Sequence, residues 1–380
     1  MKVGVGWSTL PSATEAALAS VERALETSGP PALTILFTTD AYDQASVLDA
    51  VRGSIGSSRL VGFCGAGLLT AEGVFRQAVG VATLSGSELS VRTSLQASMA
   101  SDPARAGILS AEELGIPGEE GAAILVLPDG FAPGVTEMLR SLYDRLGPGV
   151  RYLGGGAGDN LRFFKTWQFT ERGVESGAVA SASVRGAQIG CAIGHGWKPK
   201  GDLLVVTRSQ GKRILELDAR PAFEVYSGRL GGIHPKSFPE WGMRYPLGTA
   251  DIRGNYLIRD PVSVRLDQSI DLVTEIPENA VAHIMEGTVD DLVDAASLVA
   301  RAALAQVASP RFALVFDCIS RYLYLGEAYA RELRAMRESF GEDLPMLGAL
   351  SFGEIGGYTD YPQFHNKTLA VGVFGSGGPP

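Results

Sequence analysis

One order of elements recurs three times along the 380-residue chain: a helix closed by turn residues, an apolar β-rich run, a second helix, a glycine-rich segment and a further strand. In the first occurrence Ser12 and Glu15 have capping-box spacing, starting a helix that runs to about Thr27 and stops at Gly29-Pro30-Pro31. A strand over 33–37, a helix over about 42–52, the segment Leu60-Val61-Gly62-Phe63-Cys64-Gly65-Ala66-Gly67 and a strand over 78–83 complete it. The second reads helix 103–114, Pro117-Gly118, strand 122–127, helix 133–146, Leu153-Gly154-Gly155-Gly156-Ala157-Gly158, then strand 178–184. The third reads helix 290–307, Pro310, strand 312–316, helix 326–340, Leu347-Gly348-Ala349-Leu350-Ser351-Phe352-Gly353, then strand 369–374. The glycine segments begin 27, 29 and 33 residues after Leu33, Ile124 and Leu314. The expectation is an α/β fold of layered mixed β-sheets flanked by helices, built from recurring α-β-α-β-β units; plain α/β alternation is the simpler alternative.

The stretch 186–287 breaks the pattern. Short alternating segments at 203–207, 214–217, 256–258 and 280–285 predict β-hairpins, interrupted by one helix over 221–226. Residues 231–245, rich in Gly, Pro and aromatics, read as a long connection. A boundary near 218 divides the chain into expected domains 1–217 and 218–380.

Charge and composition exclude several classes. Lys and Arg total 33 against 42 acids, a formal charge of −9, and no dense basic run is present to track a phosphate backbone, so nucleic acid is excluded as a partner. The apolar stretch Val3 to Trp7 is too short for a signal peptide, and no apolar run approaches ~18 residues. A cytoplasmic protein without membrane insertion is expected. Three cysteines, Cys64, Cys191 and Cys318, argue for reduced thiols.

Glycine-rich turns after strands expose backbone N–H groups that suit a carboxylate or phosphate. Gly154, Gly155 and Gly156 are candidates for such contacts, with tight packing turns as the other reading. They do not form G-x-G-x-x-G, and residues 163–169 follow where a dinucleotide fold needs a helix. Gly211-Lys212 fails as a P-loop. The four histidines are scattered without metal-binding spacing, so neither cofactor nor metal is expected. Polar residues gather after the second and third glycine segments: Asp159, Asn160, Thr166 and Gln168, then Glu354, His365 and Asn366. Arg321 follows the strand ending in Asp317-Cys318, where its fork can clamp a carboxylate while Asp159 or Glu354 meets an ammonium group. That arrangement suits an amino acid; an ion pair with an acid such as Glu327 is the alternative. For catalysis, residues 349–353 fall one residue short of a G-x-S-x-G nucleophile elbow at Ser351, with Asp360 and His365 in triad order, but a loop follows instead of a helix. Cys318 beside Arg321 is a second candidate nucleophile.

Several of these segments together resemble the FIST family, in its N-terminal and C-terminal regions. They are Leu153 through Asn160 with Gln168-Phe169; Gly194-His195-Gly196-Trp197-Lys198-Pro199; Glu216 through Ala222 with Tyr226; Phe316 through Arg321; and Gly348 through Ile355 with His365-Asn366. Ala219 stands where the family's glycine is expected. The resemblance implies a sensory module of signal transduction binding a small ligand, with amino acids proposed. No segment is left over for a fused output, so the signal is expected to pass in trans to a partner. The candidate ligand residues are therefore Gly154, Gly155, Gly156, Asp159, Asn160, Cys318, Arg321, Ser351, Gly353, Glu354, His365 and Asn366. A hydrolase-like enzyme using Ser351 or Cys318 and a protein-interaction scaffold are the alternatives.

Overall fold

The structure is a computed structural model describing residues 1–115, 121–251 and 253–377. The Pro117-Gly118 stop lies outside the described residues. Four β-sheets flanked by helices make a mixed α/β fold.

Three six-stranded sheets share one strand order. The first runs Lys2–Ser8, Val79–Ser85, Leu33–Thr39, Arg59–Gly65, Gln168–Thr170, Gly173–Glu175. The second runs Ser90–Gln96, Val179–Arg185, Ala123–Pro128, Arg151–Gly155, Glu354–Gly356, Gln363–His365. The third runs Gln188–Gly194, Leu369–Gly375, Pro310–Cys318, Met346–Ser351, Gly67–Thr70, Gly73–Phe75. In each, the two central strands are parallel and the other pairs antiparallel. The last two strands always come from elsewhere in the chain. The hairpin 67–75 completes the third sheet, 168–175 the first and 354–365 the second, so the three layers are interlocked by a cyclic exchange of hairpins. Each exchanged hairpin also covers a sheet edge that would otherwise expose unpaired N–H and C=O groups.

The glycines at the parallel pairs explain part of this sequence. A Cβ on Gly62, Gly154 or Gly348 would lie 1.8, 1.8 or 2.2 Å from the carbonyl oxygen of Leu36, Val126 or Val315, its partner across the parallel pair. Backbone cannot yield to that overlap, so the position admits only glycine. Just beyond, the three glycine segments hydrogen-bond to one another: Gly158 N–H to Cys64 O, Ala66 N–H to Leu350 O, Gly156 N–H to Gly353 O and Phe352 N–H to Gly156 O. The apolar faces of all three sheets meet in one core, where Phe37 packs on Phe63 at 5.0 Å and on Phe316 at 5.8 Å between ring centres, beside Leu125, Leu127, Leu153 and Leu347.

Helix ends follow local chemistry. Ser12 accepts from Glu15 N–H and Asp102 from Arg105 N–H, while Thr288 and Asp291 form a reciprocal capping box. The strand Lys2–Ser8 is absent from the sequence reading, where an isolated five-residue apolar run had no visible partner. It pairs with Val79–Ser85 in full register.

The middle stretch forms the fourth sheet, from Lys198–Gln210 to Val281–Glu286. Residue 218 lies in its Asp218-Ala219 turn, and strands on both sides share that sheet. The long connection expected over 231–245 contains a 3-10 turn, Pro235–Ser237, and an α-helix, Phe238–Arg244. Phe238, Trp241 and Tyr245 recur at helical spacing and pack on the fourth sheet's core, a signal that the Gly and Pro content masked.

Candidate functional site

At the C-terminal end of the parallel pair Pro310–Cys318 and Met346–Ser351, a cavity of about 160 Å³ opens to the surface. Ligands in open α/β sheets gather at such strand ends. Its walls come from distant parts of the chain: Leu161 and Phe163 after the second glycine segment, Met243 from the helix Phe238–Arg244, Asp260 to Val262 from the fourth sheet, Cys318 to Ser320, and Phe352-Gly353. Polar groups form the floor. Asp260 is 3 % exposed, accepts from Ser320 Oγ at 2.6 Å and pairs with the buried Lys367 Nζ at 3.2 Å. Asn366 is also buried there, its Oδ1 accepting from Thr274 Oγ1 at 2.6 Å. The rim is apolar and open: Phe163 is 64 % exposed, Val262 43 % and Leu323 41 %.

The loop over this cavity is strained and pinned. Asn160, Leu161 and Phe163 have φ of 58°, 69° and 54°, a left-handed region that costs a non-glycine residue about 1 kcal/mol or more. Asp159 holds them there, its carboxylate accepting from the N–H groups of Phe163, Phe164 and Lys165 at 2.8, 2.6 and 2.9 Å.

Behind the floor lies a dry layer of ionisable groups. Arg321 is fully buried, and all five of its N–H groups have partners: Glu332 takes two at 3.1 and 2.9 Å, and the carbonyls of His195, Lys367 and Leu292 take the rest. Asp317 Oδ1 sits 3.2 Å from Arg321 Nε, and Tyr329 donates to Asp317 Oδ2 at 2.6 Å. Burial raises both carboxyls, Glu332 to about 8, against the pull of Arg321. Glu332 Oε2 and Asp317 Oδ1 lack other hydrogen-bond partners, and one proton held between them satisfies both. Glu354 is likewise pushed well above the carboxylate range by burial. Ser351 Oγ–H donates to Glu354 Oε1 at 2.8 Å, with Asp317 O a second, longer acceptor at 3.3 Å.

The two histidines of this layer are held neutral by burial, His195 at about 4 with Arg321 adding to the effect, and His365 at about 3 with Arg259 doing so. His195 Nδ1 accepts from Trp197 N–H and its Nε2–H donates to Tyr256 O, which fixes the tautomer.

These positions revise the sequence reading. The Arg321 fork closes on the protein's own carboxylates, Asp317 and Glu332 rather than Glu327, and no N–H is left for a ligand. Gly154, Gly155 and Gly156 are packed against Val126 O, Phe316 and Ser351, and Phe352 O, leaving no room for a ligand to approach them. Asp159 shapes the loop instead of facing an ammonium group, Asn160 is part of that strained loop, and Glu354 is sealed in. Cys318, Gly353 and Asn366 do line the cavity; Ser351 and His365 lie fully buried. Ser351 bonds Glu354 while His365 Nε2 donates to Gly356 O, so the pair does not form the nucleophile–base contact of a hydrolase. Burial and the nearby acids Glu354 and Asp260 push the Cys318 thiol up, away from a reactive thiolate. Asp260, Lys367 and Glu332 were missed because none stands in a motif; Asp317 differs, since its i, i+4 spacing to Arg321 was visible. No group of three or more His, Cys, Asp or Glu able to hold a metal occurs among the described residues, and none of their helices is long and apolar enough to cross a membrane.

Comparison with known families matches residues 32–220 to the FIST N domain and 222–357 to the FIST C domain. The chain belongs to the FIST family. FIST domains are sensory modules of signal transduction. Two uncharacterized proteins of Mycobacterium tuberculosis are 25 % and 24 % identical, each over 98 % of this chain and 100 % and 99 % of their own lengths. An uncharacterized protein of Methanocaldococcus jannaschii is 25 % identical over 59 % of this chain and 48 % of its own. Among solved structures, cyanuric acid hydrolase from A. caulinodans matches 47 % of this FIST chain and 70 % of its own at 12 % identity and a TM-score of 0.21. PurLQS from Thermotoga maritima matches 99 % of the chain and 72 % of its own at 12 % identity and a TM-score of 0.23. Likeness that weak carries no argument about fold or activity.

Proposed function

We propose that this FIST protein is a small-ligand sensor whose ligand occupies the cavity above Asp260, Cys318 and Asn366, and which acts on a signalling partner in trans. The observation that carries the reading is the cavity's composition: one space walled by the strained 159–165 loop, the strand ends of the third sheet and the fourth sheet. A ligand there touches segments otherwise far apart in the chain. Its contacts with Leu161 and Phe163 bias a loop already held away from its backbone minimum, and that loop carries the 87 % exposed Phe164 on the surface a partner would read.

A thermal-shift screen of a metabolite library on the wild type and on Val262→Trp, which fills the mouth from an exposed position, tests this. A ligand at about 100 times its Kd stabilises the native state by about 2.7 kcal/mol. The expected hit raises the melting temperature of the wild type and not of Val262→Trp. A hit that stabilises both alike puts the site elsewhere and overturns the reading.

A further inference from the structure

Resting on that sensor reading, we infer that the ligand is an uncharged molecule with a benzene-sized apolar body and one hydrogen-bond donor head, seated head-down against Asp260. This departs from the carboxylate or amino acid expected from the sequence.

Size sets the body. A cavity of about 150 Å³ lined by Leu, Ile and Phe accepts benzene, and this one measures about 160 Å³. Most of its wall is apolar, with Leu161, Phe163, Pro261, Val273, Ile319 and Phe352 on it. Orientation follows from exposure, since the buried polar groups lie at the floor and the exposed apolar ones at the rim.

The floor sets the head. Among the described residues, no Lys, Arg or His lines the cavity. An ionised carboxylate has about four acceptor sites, and Asp260 uses one for Ser320 and one for Lys367. Asn366 Nδ2 gives one N–H to His365 O, so beside the remaining acceptor sites of Asp260 the floor holds at most one neutral amide donor, and the charged side chain on offer is an acceptor that suits a donor head better than a carboxylate.

Charge sets the neutrality. Asp260 is balanced by Lys367, and Arg321 by the Asp317–Glu332 pair with its shared proton, with Glu354 protonated. The buried Arg259 forms no ion pair among the described residues, but its Nη1 donates to Ile258 O and Phe364 O and it does not line the cavity, so a charged head on the floor meets no free counter-charge there. An amino acid would bring a carboxylate with no counter-charge to meet it.

Four probes share one ring and differ in head: benzyl alcohol, benzylamine, benzoate and phenylalanine. Titration calorimetry on the full chain, wild type and Val262→Trp, reads the order directly. Benzyl alcohol is expected to bind the wild type at least tenfold more tightly than each of the other three and to lose binding in Val262→Trp. If benzoate, phenylalanine or benzylamine binds as well or better and is also lost in Val262→Trp, the neutral-head inference falls while the sensor reading stands. If none of the four binds but a library hit is lost in Val262→Trp, the inference again falls alone. If no compound shows the Val262→Trp dependence, both fall.

Discussion

Arg321→Ala separates a structural arginine from a ligand clamp. The substitution removes five buried N–H donors, leaves Asp317 and Glu332 facing each other without a cation, and takes the arginine's hydrogen bonds away from the carbonyls of His195, Lys367 and Leu292. Removing one partner of a buried ion pair costs about 3–5 kcal/mol, because the remaining charge stays uncompensated. With an unfolding entropy of about 2.1 cal/mol/K per residue, a chain of 380 residues unfolding as one unit loses ~1.3 °C per kcal/mol. The expected fall is thus about 4–6 °C, read by circular dichroism melting in one buffer. The loss is expected to be smaller at pH 5 than at pH 8, since both acids can then neutralise themselves by taking up protons. A ligand clamp predicts a different outcome, namely unchanged melting with lost affinity. A melting temperature within 1 °C of wild type would refute the reasoning, as would a destabilisation that grows on acidification.

Two further outcomes follow from the buried layer and the turns. Glu332, ordinarily near 4.5, contributes stability that is complete below that pH and is lost as pH rises through about 8, so Glu332→Gln should flatten the wild type's decline in melting temperature between pH 5 and 8. His195 works in the opposite sense: its contribution is present above about 6.5 and lost as pH falls through about 4, so His195→Asn, followed by the same melts, should remove part of the acid instability. Ala219 sits at φ 59° in the Asp218-Ala219 turn of the fourth sheet. Ala219→Gly relieves about 1–2 kcal/mol of left-handed strain and loosens the unfolded chain by about 0.4–1 kcal/mol, so urea unfolding should show a net gain of roughly 0.5 kcal/mol.

How much of this was legible varies by residue. The helix start at Ser12 was readable because capping is a contract between residues three apart, whereas the Thr288–Asp291 box went unnamed and that helix was expected from 290. The glycine segments were readable as segments, but their purpose was not: Gly154 is required by the Val126 carbonyl, 28 positions earlier in the chain. The helix Phe238–Arg244 carried its signal in aromatic spacing and was hidden by neighbouring breakers. In the site, Cys318, Gly353 and Asn366 were named from sequence and line the cavity, whereas Arg321 was named for a role its fully occupied guanidinium does not have.

The sequence by itself determined the alternation of helix and strand, the caps, and the family, because these depend on periodicity and on motifs a few residues long. Only the tertiary structure decided which sheet each hairpin completes, which charges are buried together, and that Asp260 rather than Arg321 faces the cavity. Hairpin exchange and charge compensation join residues such as Asp260 and Lys367, or Gly67 and Leu350, that no local pattern connects. Their partners are chosen by the packing of whole layers around one core.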